Sequence, residues 1–340
     1  RVLGELAIFP YVRAEYQAAI ELGEETLNLA QEFGDPLLVA LAHWHLGYVS
    51  FGRGAFTTAR THLQQTISFY EPQHHHHSLV SVRGSDAGVS ALAYDACCLW
   101  CLGYPEQAMR RSQEALELAR ELDHAFSLAD VLCYGGGLLN SMRRDAQALK
   151  EIAEEFTRLA GSLDFSSFWG TGTCYAGEVL SRLGQVHEGL AQIRQGMVVR
   201  QSVGARCSSS AILGALAEAQ AKAGHSEEGL DTLNEALAFV GETDERFFEA
   251  ELYRLQAEFL LMQGNTAQVE ARLQKALDVA RCQSARSWEL RATVSLCRLW
   301  QKQGRRDDAH QALAAVYGWF TEGFDTPDLR EARALLDELG

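Results

Sequence analysis

Residues 217–233, AEAQAKAGHSEEGLDTL, combine a turn glycine with small and large apolar residues at fixed intervals. Gly224 separates two segments of helical apolar periodicity, with Ala217 before it and Gly229 after it. Small residues on two helices let their backbones approach closely, and a large side chain such as Leu233 then fills the seam. The stretch therefore predicts a tight helical hairpin.

The same pattern recurs along the chain with a period close to 40 residues. The turn position is taken in order by Arg13, Gly54, Gly103, Arg143, Gly184, Gly224, Gly264 and Gly304, at intervals of 41, 49, 40, 41, 40, 40 and 40. Small residues recur seven before and five after it, and large aliphatic residues nine after it. This order is typical of tetratricopeptide repeats with lengthened helices. The predicted fold is all-α, a tetratricopeptide-like superhelix (α-solenoid) of about eight hairpins in a single domain over 1–340.

Two segments lie outside the regular repeat. The extra residues of the 49-residue interval contain YEPQHHHHSLVSVRGSDAG (70–88), which predicts a long inter-repeat loop over 71–88. The end of the chain, FDTPDLREARALLDELG, predicts a C-terminal capping helix over 326–340, because Pro327 suits a first helical turn. The chain begins without Met inside a helical pattern, so we expect it to be a fragment of a longer protein.

Composition argues against several classes of partner. The chain is 47% apolar and carries a formal net charge of −15. An acidic protein repels phosphate backbones, so nucleic-acid binding is not expected. No apolar run approaches the roughly 18 residues of a membrane span, so a membrane partner is not expected either. The eight cysteines are scattered rather than spaced as a disulfide framework, which favours reduced thiols in a cytoplasmic protein.

The segment Gly88–Leu132 carries a family resemblance through LWCLGYPEQA (99–108) and RRSQEALELARELDH (110–124). It resembles the tetratricopeptide-like C-terminal region of bacterial signalling proteins that combine an adenylate/guanylate cyclase or similar effector with an AAA (STAND-type) ATPase. The preceding Tyr70-Glu71-Pro72-Gln73 is also similar to the family, whereas Ala87 replaces the proline expected there. The resemblance implies ATPase and effector domains upstream in the same chain.

We expect no catalytic residues, no cofactor and no metal site. The sequence has no GxxxxGK[ST], GxSxG, HExxH or GxGxxG motif. His74 to His77 are potential zinc, nickel or copper ligands, but neighbours in an extended loop point to opposite sides, so a solvated loop is favoured. Cys98 and Cys101 form a lone CxxC, which we interpret as packed small residues rather than a redox pair. An enzyme that uses these histidines and thiols is the least favoured function class.

One repeat position is expected to face the concave surface of the superhelix. Six residues before each turn it is occupied by Tyr48, Cys97, Gly137, Glu178, Glu218, Glu258 and Arg298. Arg182 and Lys222 follow two of these glutamates at i+4, in the order that favours an ion pair. The N-terminal half of the same surface is predicted to be aromatic. The candidate partner-binding residues are Trp44, Tyr48, Phe51, Trp100, Glu178, Arg182, Glu218, Lys222, Glu258 and Arg298.

The predicted function is a non-enzymatic sensor or protein-interaction region of a nucleotide-dependent signalling protein. A peptide or protein partner, basic or amphipathic, would bind along the concave groove. A solvated groove wall whose charges only pair with each other remains an alternative for the glutamate column. The alternative function is an intramolecular or oligomerisation scaffold that docks on its own ATPase and effector domains.

Overall fold

The computed structural model describes residues 8–162 and 165–340, and it is all-α over those ranges. The helices, numbered in chain order, are α1 (Ile8–Val12), α2 (Tyr16–Phe33), α3 (Pro36–Gly52), α4 (Phe56–Phe69), α5 (Pro72–Arg83), α6 (Ala87–Cys101), α7 (Pro105–Glu121), α8 (Ala125–Val131), α9 (Leu139–Arg143), α10 (Ala146–Ser162), α11 (Ser166–Arg182), α12 (Val186–Ser202), α13 (Ser209–Lys222), α14 (Ser226–Thr243), α15 (Glu249–Met262), α16 (Val269–Cys282), α17 (Arg286–Lys302), α18 (Arg306–Tyr317) and α19 (Pro327–Leu339). A π-helical segment, Leu132–Leu138, joins α8 to α9, and a short 3-10 turn, Thr266–Gln268, precedes α16. None of these helices is long and apolar enough to cross a membrane.

Consecutive helices pair as hairpins, which confirms the predicted tetratricopeptide-like solenoid. The turn residues have left-handed backbone conformations at Gly54, Gly103, Gly184, Gly224, Gly264 and Gly304. The predicted turn residues Arg13 and Arg143 are wrong by one position, because it is Ala14 and Arg144 that have positive φ, 60° and 59°. The helix therefore runs one residue further in these two repeats before the chain reverses.

The small residues of the repeat pattern allow the paired helices to pack closely, as predicted. A Cβ placed on Gly47 would lie 2.7 Å from Leu63 Cδ2, and one on Gly136 would lie 2.8 Å from Ile152 Cγ2. In each case the close neighbour is the large aliphatic residue of the following helix, nine positions after Gly54 and eight after Arg144. Glycine at these positions allows the paired helices to pack more closely than any side chain would permit.

The predicted loop over 71–88 is wrong, because most of it forms α5. Pro72 occupies the first helical turn, where it is well tolerated, and Gly84 ends the helix in a left-handed conformation with φ 84°. Asp86 then begins α6, and its Oδ1 accepts hydrogen bonds from the N–H groups of Gly88 and Val89. The chain therefore inserts a single helix between two hairpins, which accounts for the long 49-residue interval.

The superhelix closes on itself, so hairpins from one turn contact hairpins about five repeats later in the chain. The Val12 carbonyl at the end of α1 accepts hydrogen bonds from the N–H groups of Arg206 (2.7 Å) and Cys207 (3.1 Å). The Gly52 carbonyl at the end of α3 likewise accepts from Arg246 (2.8 Å) and Phe247 (3.1 Å). Carbonyls at helix C-termini have no partner within their own helix. Here the next superhelical turn supplies the donors.

Two further hairpins make the same type of contact through side chains. The Ser287 hydroxyl donates to the Trp100 carbonyl at 2.5 Å, and the Arg291 guanidinium donates to the Met142 carbonyl. As a result one continuous apolar core extends from Tyr11 to Trp288. A helix, α19, is present where the sequence predicts one over 326–340, and it packs on α17 and α18.

Candidate binding groove and aromatic cavity

The inner surface of the C-terminal hairpins contains a charged groove with a volume of about 450 Å³. The first helices of the last four hairpins (α11, α13, α15 and α17) form it, together with the turn before α10 and helix α19. Although the whole chain is acidic, the groove is lined by six basic and four acidic side chains. Its lining residues are Arg144, Ala146, Arg182, Glu218, Lys222, Arg254, Glu258, Leu290, Arg291, Val294, Ser295, Arg298, Asp328 and Glu331.

Three arginines of the groove converge on the buried carboxylate of Glu251, which lies directly behind it. Arg254 Nε is 2.8 Å from Glu251 Oε2, while Arg144 Nη2 and Arg291 Nη1 are 3.3 and 3.6 Å from Oε1. Burial alone would raise the pKa of Glu251, but the guanidinium groups outweigh it and hold that pKa well below its ordinary value. Glu251 is therefore ionised and fixes three groove arginines in place.

Arg291 is held from two sides. Its Nε donates to both carboxylate oxygens of Asp328 in α19, each at 2.9 Å. Its guanidinium carbon also lies 5.1 and 5.0 Å from the ring centroids of Trp100 and Trp288. A planar guanidinium suits this combination of carboxylate pairing and aromatic stacking. The terminal helix is thereby bound to the middle of the groove.

The predicted ion pair between Glu178 and Arg182 is present, with Arg182 Nη2 at 2.5 Å from Glu178 Oε1. The Ser141 hydroxyl also donates to this carboxylate, at 2.7 Å. Glu178 is buried, which raises its pKa despite these contacts. Glu178 therefore supports Arg182 from behind, and Arg182 itself lines the groove.

The predicted pair between Glu218 and Lys222 is not formed. In the part of the chain that the structure describes, neither side chain takes part in a hydrogen bond or an ion pair. Lys222 is the last residue of α13 and is exposed, whereas Glu218 is half-buried and lies on the groove wall. Both side chains line the groove without a hydrogen bond or ion pair to another described residue, so both can contact a bound molecule.

Glu258 and Arg298 line the same groove but are engaged with protein groups. The Glu258 carboxylate accepts from the Arg254 guanidinium and from the Ser295 hydroxyl, the latter at 3.0 Å. Arg298 Nη1 lies 2.7 Å from Glu331 Oε1 in α19. Five of the ten predicted binding residues thus line one cavity, and α19 contributes to their charge balance.

The prediction that Phe51 and Trp100 line the concave groove is wrong. Phe51 stacks on Phe247 with ring centroids 5.2 Å apart, and Trp100 packs edge-on against Trp288 at 4.7 Å. Both side chains are buried. The reason is the closure of the superhelix, which places a later turn against the surface that an open solenoid would expose.

Trp44 and Tyr48 line a second space, which we call the aromatic cavity. Its volume is about 430 Å³, and it lies between the N-terminal helices, the π-helical segment and the α11–α12 hairpin. Of its lining residues, Asp130 and Arg200 are the acidic and the basic one. The remaining lining residues are Tyr11, Val12, Trp44, Tyr48, Tyr94, Phe126, Cys133, Tyr134, Phe165, Ser166, Ser167, Phe168, Thr171, Val203, Cys207 and Ser208.

Several groove residues were missed from the sequence, although one signal was present. Glu251 and Arg291 occupy the same repeat position in adjacent repeats, 40 residues apart, so stacking brings them together. Arg254 likewise takes the position that Trp44 occupies in an earlier repeat. A charge in a column that is otherwise apolar or small was the available indication. Arg144 and Asp328 carry no such signal, because a turn and a terminal helix lie outside the columns.

The histidines and thiols do not form a reactive centre in the described residues. Within 8–162 and 165–340, no three or more His, Cys, Asp or Glu side chains are arranged to hold a metal ion. His76 Nδ1 instead lies 2.7 Å from Asp86 Oδ2, while His74 is largely exposed. Burial raises the pKa of the Cys98 and Cys101 thiols well above its ordinary value, which disfavours the nucleophilic thiolate.

Known proteins share the fold of this chain at low sequence identity. No family model matches the chain. The uncharacterized protein R02095 of Rhizobium meliloti (strain 1021) is 22% identical over 282 residues, which are 83% of this chain and 27% of that protein. The chain thus spans about a quarter of the length of this curated relative.

Among solved structures, the chain is similar to three helical-repeat proteins. A Rap protein complexed with Competence and Sporulation Factor has a TM-score of 0.61 at 9% identity, covering 99% of this chain and 96% of that one. Aspartyl phosphate phosphatase F from Bacillus subtilis has a TM-score of 0.57 at 12% identity, with coverages of 80% and 68%. The apo form of the quorum sensor NprR from B. thuringiensis has a TM-score of 0.53 at 14% identity, covering 93% of this chain and 85% of that one.

Proposed function

We propose that this chain is a non-enzymatic binding region that takes up an extended peptide, or a peptide-like segment of a protein, in the charged groove. The partner is expected to carry charges of both signs rather than to be purely basic. This follows from the lining, in which six basic and four acidic side chains are interspersed. The groove volume of about 450 Å³ also lies within the ordinary range of ligand sites.

The proposal rests on the pairing of the charged side chains in the groove, which differs from one side chain to another. Eight of its ten charged side chains pair with another protein group, through Glu178, Glu251 or one another. Among the described residues, only Glu218 and Lys222 of this lining have no such partner. The pairing of the other eight charged side chains makes the groove rigid. Glu218 can bind an ammonium or guanidinium of the partner, and Lys222, four residues later on the same helix, can bind a carboxylate.

The fold similarity supports this use of the scaffold. The Rap protein described above was solved as a complex with Competence and Sporulation Factor, and NprR is described as a quorum sensor. A superhelix of this type therefore accommodates a bound factor in at least one solved case. Solenoids place successive repeats along an extended inner surface, which suits a partner that spans several repeats.

We further propose that the region belongs to a longer cytoplasmic signalling protein with ATPase and effector domains upstream. A partner that binds the groove with different affinity in two states of such a protein would bias its output. The alternative occupant is a segment of the same longer chain, in an intramolecular scaffold. The relative's greater length allows this alternative, because the matched region is only 27% of it.

A selection experiment tests the proposal. A library of linear peptides displayed on phage is selected on the wild-type chain, and binding of the enriched peptides is measured by fluorescence anisotropy. We expect E218K/K222E to weaken binding at least about tenfold, because each reversal replaces an attraction with a repulsion at unchanged net charge. Circular dichroism verifies that the helix content is unchanged.

K150E/E154K provides the matched control. Lys150 and Glu154 form an exposed i,i+4 pair on α10 that does not line the groove, with their charged groups 4.0 Å apart. This swap should leave peptide binding unchanged. Equal weakening by both swaps, or enriched peptides that bind E218K/K222E as tightly as wild type, would contradict the proposal.

A further inference from the structure

The aromatic cavity is separate from the charged groove and shares no lining residue with it. We infer that it is a second binding site, which takes a small molecule with a planar apolar body and a carboxylate that pairs with Arg200. This inference concerns a different site from the proposed peptide groove and does not depend on it.

Arg200 is a buried cation for which residues 8–162 and 165–340 supply no counter-ion. It lies near the end of α12 and only 5% of it is exposed. Its guanidinium donates to the Thr171 hydroxyl at 2.5 Å and to the Cys207 carbonyl. Across the described residues no carboxylate lies within ion-pairing distance of it. Arginine stays protonated in proteins, and a buried charge is normally paired, so an anion from outside is the missing partner.

The surroundings of Arg200 are built to bring its guanidinium to the cavity. Gly170 lies beside its aliphatic stem, and a Cβ at that position would approach Arg200 Cγ to 3.0 Å. The two neutral hydrogen bonds fix the guanidinium plane without neutralising its charge. Guanidinium groups held in this way bind carboxylates through two parallel hydrogen bonds.

The walls of the cavity fit a flat apolar body. Tyr94 and Tyr134 are stacked with centroids 4.4 Å apart, and Trp44 lies 4.4 Å from Tyr48. Phe126, Phe165 and Phe168 are half-buried on another side. Aromatic walls with a few convergent polar groups are characteristic of small-molecule sites, and a planar ring packs well between such side chains.

The π-helical segment contributes directly to this site. Cys133 and Tyr134 belong to it and line the cavity. Carbonyls of this wider helical turn accept side-chain hydrogen bonds, from Tyr175 to the Cys133 oxygen (3.0 Å) and from Ser112 to the Gly135 oxygen (2.7 Å). Single π-helical turns occur frequently at functional sites, and this one places an aromatic ring against the cavity.

Asp130 also lines the cavity, so the probes must distinguish an anionic ligand from a cationic one. An aromatic cage with a carboxylate would favour a cationic ligand, whereas Arg200 favours an anionic one. The probes are therefore 2-naphthoate, its uncharged amide and 2-naphthylmethylammonium, which share one ring system. Their dissociation constants for the whole chain are measured by isothermal titration calorimetry.

We expect 2-naphthoate to bind about tenfold more tightly than the amide, because it gains charge-assisted hydrogen bonds, and the ammonium to bind most weakly. Arg200→Gln should abolish the preference for the carboxylate over the amide. Because Arg200 is also hydrogen-bonded to the protein, its replacement can disturb the local structure. A second variant therefore tests the site and leaves Arg200 in place. Val203→Trp should obstruct the mouth of the cavity, where Val203 is 47% exposed, and weaken naphthoate binding.

The matched control is Val198→Trp, in α12 just before Val203 but outside the cavity lining, where Val198 is 64% exposed. It should leave naphthoate binding unchanged. Tightest binding of the ammonium, equal binding of acid and amide, or equal effects of the two tryptophan variants would overturn the inference. So would the absence of saturable binding of all three probes at concentrations up to about 1 mM.

Discussion

Glu251 shows how individual residues give the groove its shape. This buried carboxylate contacts arginines from α15, α17 and the turn before α10. Buried charges are costly unless they are paired and hydrogen-bonded. Arg144, Arg254 and Arg291 are therefore tolerated because Glu251 lies behind them and Asp328 lies beside Arg144 and Arg291.

The first prediction concerns the pH dependence of stability. Because the folded-state pKa of Glu251 is lowered, its stabilising effect is complete above the ordinary glutamate pKa of about 4.3 and is lost progressively as the pH falls from there towards the much lower folded-state pKa. Glu251→Gln should reduce the free energy of unfolding by roughly 3 kcal/mol at neutral pH. The difference from wild type should narrow at acidic pH, as measured by urea denaturation at about pH 7 and about pH 3.5.

The control for this experiment is Glu154→Gln, whose carboxylate is largely exposed in a surface pair. It should change the free energy of unfolding by at most about 0.5 kcal/mol at either pH. A Glu251→Gln deficit that is equally large at both pH values would show that lost packing, rather than lost charge, is responsible.

The second prediction concerns the histidine run. His76 Nδ1 contacts the buried carboxylate of Asp86, whereas His77 is exposed. Because a hydrogen bond to a buried acceptor is lost, His76→Ala should lower the free energy of unfolding by about 1–2 kcal/mol. His77→Ala should have almost no effect in the same thermal or chemical denaturation series. Equal effects would mean that the contact with Asp86 does not stabilise the fold.

Residue pairs were only partly predictable from the sequence. The i,i+4 spacing predicted both Glu178 with Arg182 and Glu218 with Lys222, and only the first pair forms. Sequence spacing places two side chains on one helix face, but burial and the helix end decide whether they meet. Glu178 is buried beside Ser141, whereas Lys222 ends its helix in solvent.

At the scale of elements, the departures from the repeat are the informative parts. α5 was predicted as a loop because four histidines give no apolar periodicity. The helix depends on Pro72, Gly84 and the contacts of Asp86, which spacing does not reveal. The π-helical segment was likewise invisible, since a run of three glycines fits close packing, a weak point or a wider turn equally well.

The third prediction tests the packing of this segment. A Cβ on Gly137 would lie 2.2 Å from Tyr175 Cε2, so Gly137→Ala should destabilise the fold by about 2 kcal/mol or more through overpacking. Gly241→Ala is the matched control in another helix, because a Cβ there meets no atom within 4 Å. It should stabilise the protein by roughly 0.5–1 kcal/mol through helix propensity. Two substitutions of the same sign in thermal denaturation would contradict this packing.

At the scale of the whole molecule, closure of the superhelix controls what is buried. The hairpin columns predicted stacking between neighbours, but contacts between repeats about five apart depend on the rotation accumulated over many hairpins. A small difference in the rotation per hairpin changes which distant repeats meet, so no local sequence pattern indicates these contacts. Phe51 and Trp100 therefore lie in seams between turns, while Glu218 and Glu258, further along, line an open groove.

The fourth prediction concerns α19, whose role as a cap stays a prediction. In a simple solenoid, deleting 326–340 would expose only the last hairpin. Here the deletion also leaves Arg291 and Arg144 without Asp328. We therefore expect hydrogen exchange to increase in 139–145 as well as in α17 and α18, with Asp328→Asn as a milder variant. Increased exchange confined to α17 and α18 would argue against coupling between the superhelical turns.

The most direct measurement of the central claim, peptide binding at Glu218 and Lys222, is a reciprocal charge exchange. A peptide selected on the wild-type chain is compared with a version in which its basic and acidic residues are exchanged, against wild type and E218K/K222E. We predict that each protein binds its matching peptide at least about tenfold more tightly than the other, as a double-mutant cycle with strong coupling. Unchanged helix content of E218K/K222E without affinity for the exchanged peptide, or equal affinities in all four combinations, would contradict it.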